Sequence, residues 1–126
     1  GLCYCVGSTG FIDALVGAAS NPTAGFSGDN GPAINAQLNQ PRVTAFDNNR
    51  CFLYIADTTN NRIRRVDLSA RPPTITTVLG SGTQVQFPVL STPTNTDLAT
   101  IVGLCVLQDG SVLVGQSVVQ NTITGA

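Results

Sequence analysis

The 126-residue chain contains no histidine, methionine or tryptophan, and its six cationic residues are all arginine, so lysine is absent as well. Without histidine, the side chain used most often as a general base is missing, and so is a usual partner of cysteine in zinc ligand sets. Charged residues make up only 10% of the chain, against about a quarter in ordinary globular domains. Six arginines against seven acidic residues leave a net charge of −1, a thin supply for binding that displaces counterions from nucleic acid. No stretch approaches the ~20 apolar residues needed to span a bilayer.

What is present is 42% apolar residues with 13 glycines and 7 prolines, and Thr, Ser, Asn and Gln cover the surface in place of charge. That balance suits an all-β chain with many turns and argues against disorder. Four cysteines stand at Cys3, Cys5, Cys51 and Cys105, with no C-x-x-C pair among them. Cys3 and Cys5 are two apart, so on a strand they point the same way and are poorly placed to bridge each other. The even count favours an oxidising compartment, which makes all four candidate disulfide cysteines. The alternative is four buried thiols packed as small hydrophobes.

An internal repeat organises the chain. Ile12-Asp13-Ala14-Leu15-Val16-Gly17 matches Ile75-Thr76-Thr77-Val78-Leu79-Gly80 at an offset of 63. Val43 to Phe46 matches Gly103 to Val106 at 60, Leu53 to Thr58 matches Val112 to Ser117 at 59, and Ile63 matches Ile123 at 60. Segments recurring in order at nearly one period mark a repeat architecture. Within one unit, Thr44 to Phe46, Phe52 to Ala56, Arg62 to Asp67 and Thr74 to Leu79 read as four strands. They are separated by Asp47-Asn48-Asn49, by Asp57-Thr58-Thr59-Asn60-Asn61 and by a loop forced at Pro72-Pro73. Four strands per ~60 residues is the pattern of a propeller blade.

Between Gly17 and Pro41 the strand pattern fails. Gly28-Asp29-Asn30-Gly31 is turn chemistry, Pro32 suits the first position of a helix, and Ala33 to Leu38 is predicted to make one or two helical turns. Asn39-Gln40-Pro41 ends it. The matching stretch of the second unit, Thr83 to Thr96, is predicted to be a loop.

The run Gly25-Phe26-Ser27-Gly28-Asp29-Asn30-Gly31-Pro32-Ala33, followed by Ala36-Gln37-Leu38-Asn39-Gln40-Pro41, resembles the linker between blades of NHL-repeat proteins. Leu53-Tyr54-Ile55-Ala56-Asp57 and Asn60-Asn61-Arg62-Ile63-Arg64-Arg65-Val66-Asp67 resemble the core of that repeat, and together these motifs cover residues 12 to 80 closely. The unit from Gly103 to Ile123 is a divergent copy in which Gln116 replaces the Asp and Thr122 the Arg, while Asn121 keeps its place.

The resemblance implies a partial β-propeller of four-stranded antiparallel blades with one short helix in an inter-blade linker. Residues 1–17 would end a preceding blade, 18–42 form the linker, 43–80 a complete blade, 81–102 a Pro/Thr-rich loop, and 103–126 a partial, divergent blade. NHL propellers usually close with about six blades, and two leave open strand edges. Further blades of the same protein are therefore expected, or identical copies in an oligomer or filament, as in certain small lectins built from two-bladed chains.

Asp57, Asn61 and Arg62 are the most motif-like polar residues. They read as structural, with the Asp accepting amides of its own turn and the Arg forking across to it. Arg62, Arg64 and Arg65 are the one basic cluster, but Asp47, Asp57 and Asp67 lie close by and no aromatic stacking residues are interleaved, which disfavours RNA. The Gly28–Gly31 turn lacks the alternating acidic residues of a calcium loop, so no metal or cofactor is expected. Thr92, Thr94 and Thr96 are candidate O-glycan acceptors, and Asn49-Arg50-Cys51 is a rare variant of the N-linked acceptor.

The expected core comprises Phe46, Leu53, Ile55, Ile63, Leu104, Val106, Val112 and Val114, with Leu113 and Val114 also packing against protein outside the chain. Ile63 and Val66 are three apart, which strict alternation would send to opposite faces. These features point to a non-catalytic segment of an extracellular or cell-surface structural, adhesion or fibre-forming protein, acting through protein–protein contacts and carrying glycans. The linker also resembles that of teneurin-type receptors and microbial surface proteins. The alternatives are an intracellular NHL scaffold binding protein or RNA, and a piece of a propeller enzyme whose active site lies elsewhere.

Overall fold

The computed structural model describes residues 14–17, 23–49, 51–84 and 92–117. They form two antiparallel sheets. The first has five strands in the order β1-β5-β4-β3-β2, where β1 is Gly31–Pro32, β2 Pro41–Phe46, β3 Phe52–Asp57, β4 Arg62–Asp67 and β5 Thr74–Leu79. The second pairs β6 (Thr100–Val106) with β7 (Val112–Ser117). Consecutive strands β2 to β5 are neighbours in space, so β2 to β5 form an up-and-down blade, and β1 adds a two-residue edge on β5.

The blade is buried on both faces. On one, Leu53, Ile55, Val66 and Ile75 pack under Ala33 and Ala36 of the linker. On the other, Tyr54, Ala56 and Ile63 meet Leu98 and Ile101, with Leu104, Val106, Val112 and Val114 of the second sheet packed against them. The spacing of Ile63 and Val66 then needs no special device. They do lie on opposite faces, and both are 0% exposed because each face has its own cover. The register shift between Ile63 and Arg64 adjusts the pairing with β5 without moving either residue out of its cluster.

Phe46 departs from the expected core, being 52% exposed. It sits opposite Leu53 at the end of β2, and the linker's cover reaches β3, β4 and β5 without including any β2 residue. The linker helix is shorter than predicted, a single 3-10 turn at Ala33–Asn35. The second unit, predicted to have none, carries the same turn at Pro93–Asn95. A proline at the start of a turn presets its φ, and its presence in a Thr-rich stretch hid the turn from propensity.

The two turns lie one period apart, and other details recur with them. The Gly17 N–H donates to the Ala33 carbonyl at 3.2 Å, and the Gly80 N–H to the Pro93 carbonyl at 2.9 Å. Both glycines have positive φ, +106° and +99°. The register shift between Pro41 and Val43 in β2 recurs between Ile101 and Gly103 in β6. The expected ending of a preceding blade over residues 1–17 lies outside the described residues except for 14–17.

The two glycines separate backbone strain from steric contact. A Cβ on Gly17 would meet nothing within 4 Å, whereas one on Gly80 would strike the Asn61 carbonyl and crowd Arg62 Cα at 3.0 Å. Gly17→Ala is expected to cost about 1 kcal/mol and Gly80→Ala about 2–3 kcal/mol in chemical denaturation.

Candidate functional site

The most concentrated polar chemistry lies where the linker crosses the end of β3 and β4. Asp57 closes β3 on the face that carries Leu53 and Ile55, and Arg64 lies on the same face of β4. Both side chains are 0% exposed. The Arg64 guanidinium spends every N–H. Nε donates to Asp29 Oδ1 at 3.1 Å, and one terminal nitrogen donates to the same oxygen at 2.9 Å and to the Ser27 carbonyl at 3.0 Å. The other donates to the Gln37 carbonyl at 3.2 Å and Asp57 Oδ2 at 3.3 Å. Asp57 also accepts from the Asn39 N–H at 2.7 Å and Asn60 Nδ2 at 2.8 Å. Thr77 Oγ1 donates to the second oxygen of Asp29 at 2.7 Å. No buried side-chain nitrogen or oxygen among the described residues lacks a partner.

This arrangement corrects the expected pairing of Asp57 with Arg62. The two stand opposite each other in the ladder, but Arg62 donates to the Asn60 and Ser81 carbonyls and sits over Phe26, 3.7 Å from the ring centroid. Arg64, one step along the same face, takes the carboxylate. Nor does Asp57 cap its own turn, since the amide that it holds belongs to Asn39 in the linker. Asn61 serves the backbone instead, turning the chain in the left-handed region at φ +50°. Period-two alternation marks Asp57 and Arg64 as face-sharing once the register is known, but Asp29 is 35 residues from Arg64 and nothing local announces it.

The arginine cluster does not form a basic patch. Arg64 is buried in its ion pairs, Arg62 lies on Phe26, and Arg65 points to the other face over Phe52 at 4.6 Å. Asp29 of the glycine-rich turn is held by Arg64 and Thr77. Among the described residues no group of three or more potential metal ligands comes together. Cys51 is disulfide-bonded, Cys105 is a free, exposed thiol, and the candidates Cys3 and Cys5 lie outside the described residues. Thr92 and Thr94 are exposed, as is Asn49. Thr96 is 5% exposed and donates its hydroxyl to the Thr92 carbonyl, which withdraws it from the candidate acceptors.

The second unit repeats the clamp without charge. Gln116, at the position of Asp57, accepts the Ala99 N–H at 2.7 Å as Asp57 accepts that of Asn39. A neutral amide holding one amide is worth about 1 kcal/mol, so Gln116→Ala is expected to lower stability by that amount in urea unfolding. At the opposite end of the blade, the Ser69 hydroxyl, opposed in part by desolvation and aided by nearby backbone amides, holds the Asp67 carboxyl below the usual carboxylate range. Its small contribution is therefore present above the unfolded-state value and lost as pH falls through the lower folded one. Ser69→Ala is expected to move the Asp67 titration upward, as read by carboxyl carbon shifts.

No family model matches the chain. Among curated proteins, NHL repeat-containing protein 2 of Bos taurus and its namesake of Homo sapiens are each 33% identical to it over 106 residues, covering 82% of this chain and 14% of theirs. The aligned stretch thus spans a small part of those relatives' length. With four antiparallel strands in the first unit, a strand-end side chain holding a linker amide in both units and a recurring linker turn, the chain belongs to the NHL-repeat β-propeller family.

Proposed function

We propose that the chain is a non-catalytic protein-interaction segment of an extracellular structural, adhesion or fibre-forming protein. The observation that carries this reading is the outer face of the second sheet. There Val102 and Leu113 are 58% and 60% exposed, and Cys105, paired in register with Leu113, is exposed beside it. Exposed apolar side chains in a group mark a surface built to be covered. The polar motif offers no competing site, because Asp29, Asp57 and Arg64 are saturated by one another and by the linker. The disulfide at Cys51 supports an oxidising environment, as does a surface rich in Thr, Ser and Asn. No helix among the described residues is long and apolar enough to cross a membrane.

Light scattering on a sizing column tests the contact surface. The chain is expected to associate with rising concentration, and Leu113→Glu to suppress that association without lowering the melting temperature. A stable monomer at all concentrations would overturn the reading. Non-reducing mass measurement on protein from its native source tests the compartment: Cys51 oxidised is the expected state, and a fully reduced set of thiols would favour the intracellular scaffold.

A further inference from the structure

Tyr54 and Arg65 stand opposite each other on β3 and β4, on the blade face that turns toward the second sheet. Tyr54 is 7% exposed, yet its hydroxyl makes no hydrogen bond among the described residues and is not sealed from solvent. Arg65 is half-buried, with its guanidinium 4.6 Å from the Phe52 ring centroid. Among the described residues it makes no hydrogen bond and no carboxylate lies within 4.0 Å of it, Asp67 acting on it only from farther away. The nearest acid along its strand, Asp67, has Oδ1 engaged by the Ser69 amide and hydroxyl. Beside this pair opens a cleft of about 250 Å³, walled by Ile63, Val78 and Leu79 on the blade and by Pro93 and Val112 across from them. A phenol without a hydrogen bond among the described residues and a guanidinium held only against the Phe52 ring and, at longer range, by Asp67 thus border an apolar hollow.

We propose that this cleft binds a small organic carboxylate with a compact apolar body, such as an arylalkanoate or a branched-chain acid. The planar fork of Arg65 matches a carboxylate with two parallel N–H donors, and the Tyr54 hydroxyl supplies a third. The apolar body then replaces water against Ile63, Val78, Leu79 and Val112. A dianionic phosphate would leave one charge uncompensated, because the cleft holds a single cation. A cationic ligand would meet Arg65 directly. The volume falls below the ~300–1,000 Å³ usual for larger ligands, which restricts the site to small molecules.

The probes are 3-phenylpropanoate and its neutral amide, 3-phenylpropanamide, titrated into the chain and followed by NMR. The acid is expected to produce saturable shifts at Tyr54, at the Arg65 Nε–H and at Val112. The amide, which keeps the shape and loses the charge, is expected to bind about tenfold more weakly or worse. Arg65→Gln should reduce the acid to the affinity of the amide, and Tyr54→Phe should weaken it severalfold while keeping the ring in place. The acid-versus-amide comparison uses the unmodified chain and stands even if a variant folds poorly. Absence of saturable shifts would overturn the proposal and assign the cleft to a neighbouring segment or protein. Equal binding of acid and amide, or an acid affinity untouched in folded Arg65→Gln, would overturn it as well.

Discussion

Arg64→Leu is expected to destabilise the chain by about 3–5 kcal/mol, the range for removing one partner from a buried ion pair. The loss comes less from the missing attraction than from what is left behind. Asp57, 0% exposed, would keep only the Asn39 and Asn60 donors for a full negative charge, and the Ser27 and Gln37 carbonyls would lose their donors. Asp29 suffers less because its side chain is 29% exposed and can recover water. Asp29→Asn is accordingly expected to be milder than Asp57→Asn. Urea unfolding at neutral pH measures all three. A loss below ~1 kcal/mol for Arg64→Leu, the level of an exposed pair, would show that the linker does not seal the network.

Ile63→Ala and Ile55→Ala are each expected to cost about 2–5 kcal/mol, as lost burial and a residual cavity combine. The two side chains are 0% and 3% exposed on opposite faces of one sheet. In a sheet with one solvated face, only one of them would be sensitive. Here the linker covers Ile55 and the second sheet covers Ile63, so both should respond. Because they share no cluster, the double variant should lose close to the sum, within about 0.5 kcal/mol. A silent substitution at either position would mean that its cover is absent in solution.

The contrast between the two units shows what was legible in the sequence. The strands could be read because alternation and turn clusters are local, and the period could be read because glycine, proline and apolar runs recur in order. Two-sided burial was harder to see. The three-residue spacing of Ile63 and Val66 looks like a defect until each face is known to be covered. Sequence alone pairs Asp57 with Arg62, the residue directly across the turn, although the same face holds Arg64 one step further. Asp29 closes that site from 35 residues away, so it depends on the path of the linker and not on any local pattern. Gln116 looked like a lost motif residue because sequence comparison weighs charge, while the Ala99 amide requires only an acceptor oxygen. The Tyr54 hydroxyl and Arg65, neither hydrogen-bonded among the described residues, leave no sequence signal, because tyrosine and arginine in a strand look the same whether or not they have hydrogen-bond partners.

The most direct test of a blade covered on both faces is a methyl NOESY spectrum of the chain with labelled Ile, Leu and Val. Cross-peaks are expected from Ile63 to Leu98 and Ile101, and from Val66 to Ile55 and Ile75, with none joining Ile63 to Ile75. Direct cross-peaks between Ile63 and Ile75, or helical carbon shifts through Phe52–Val66, would contradict the blade.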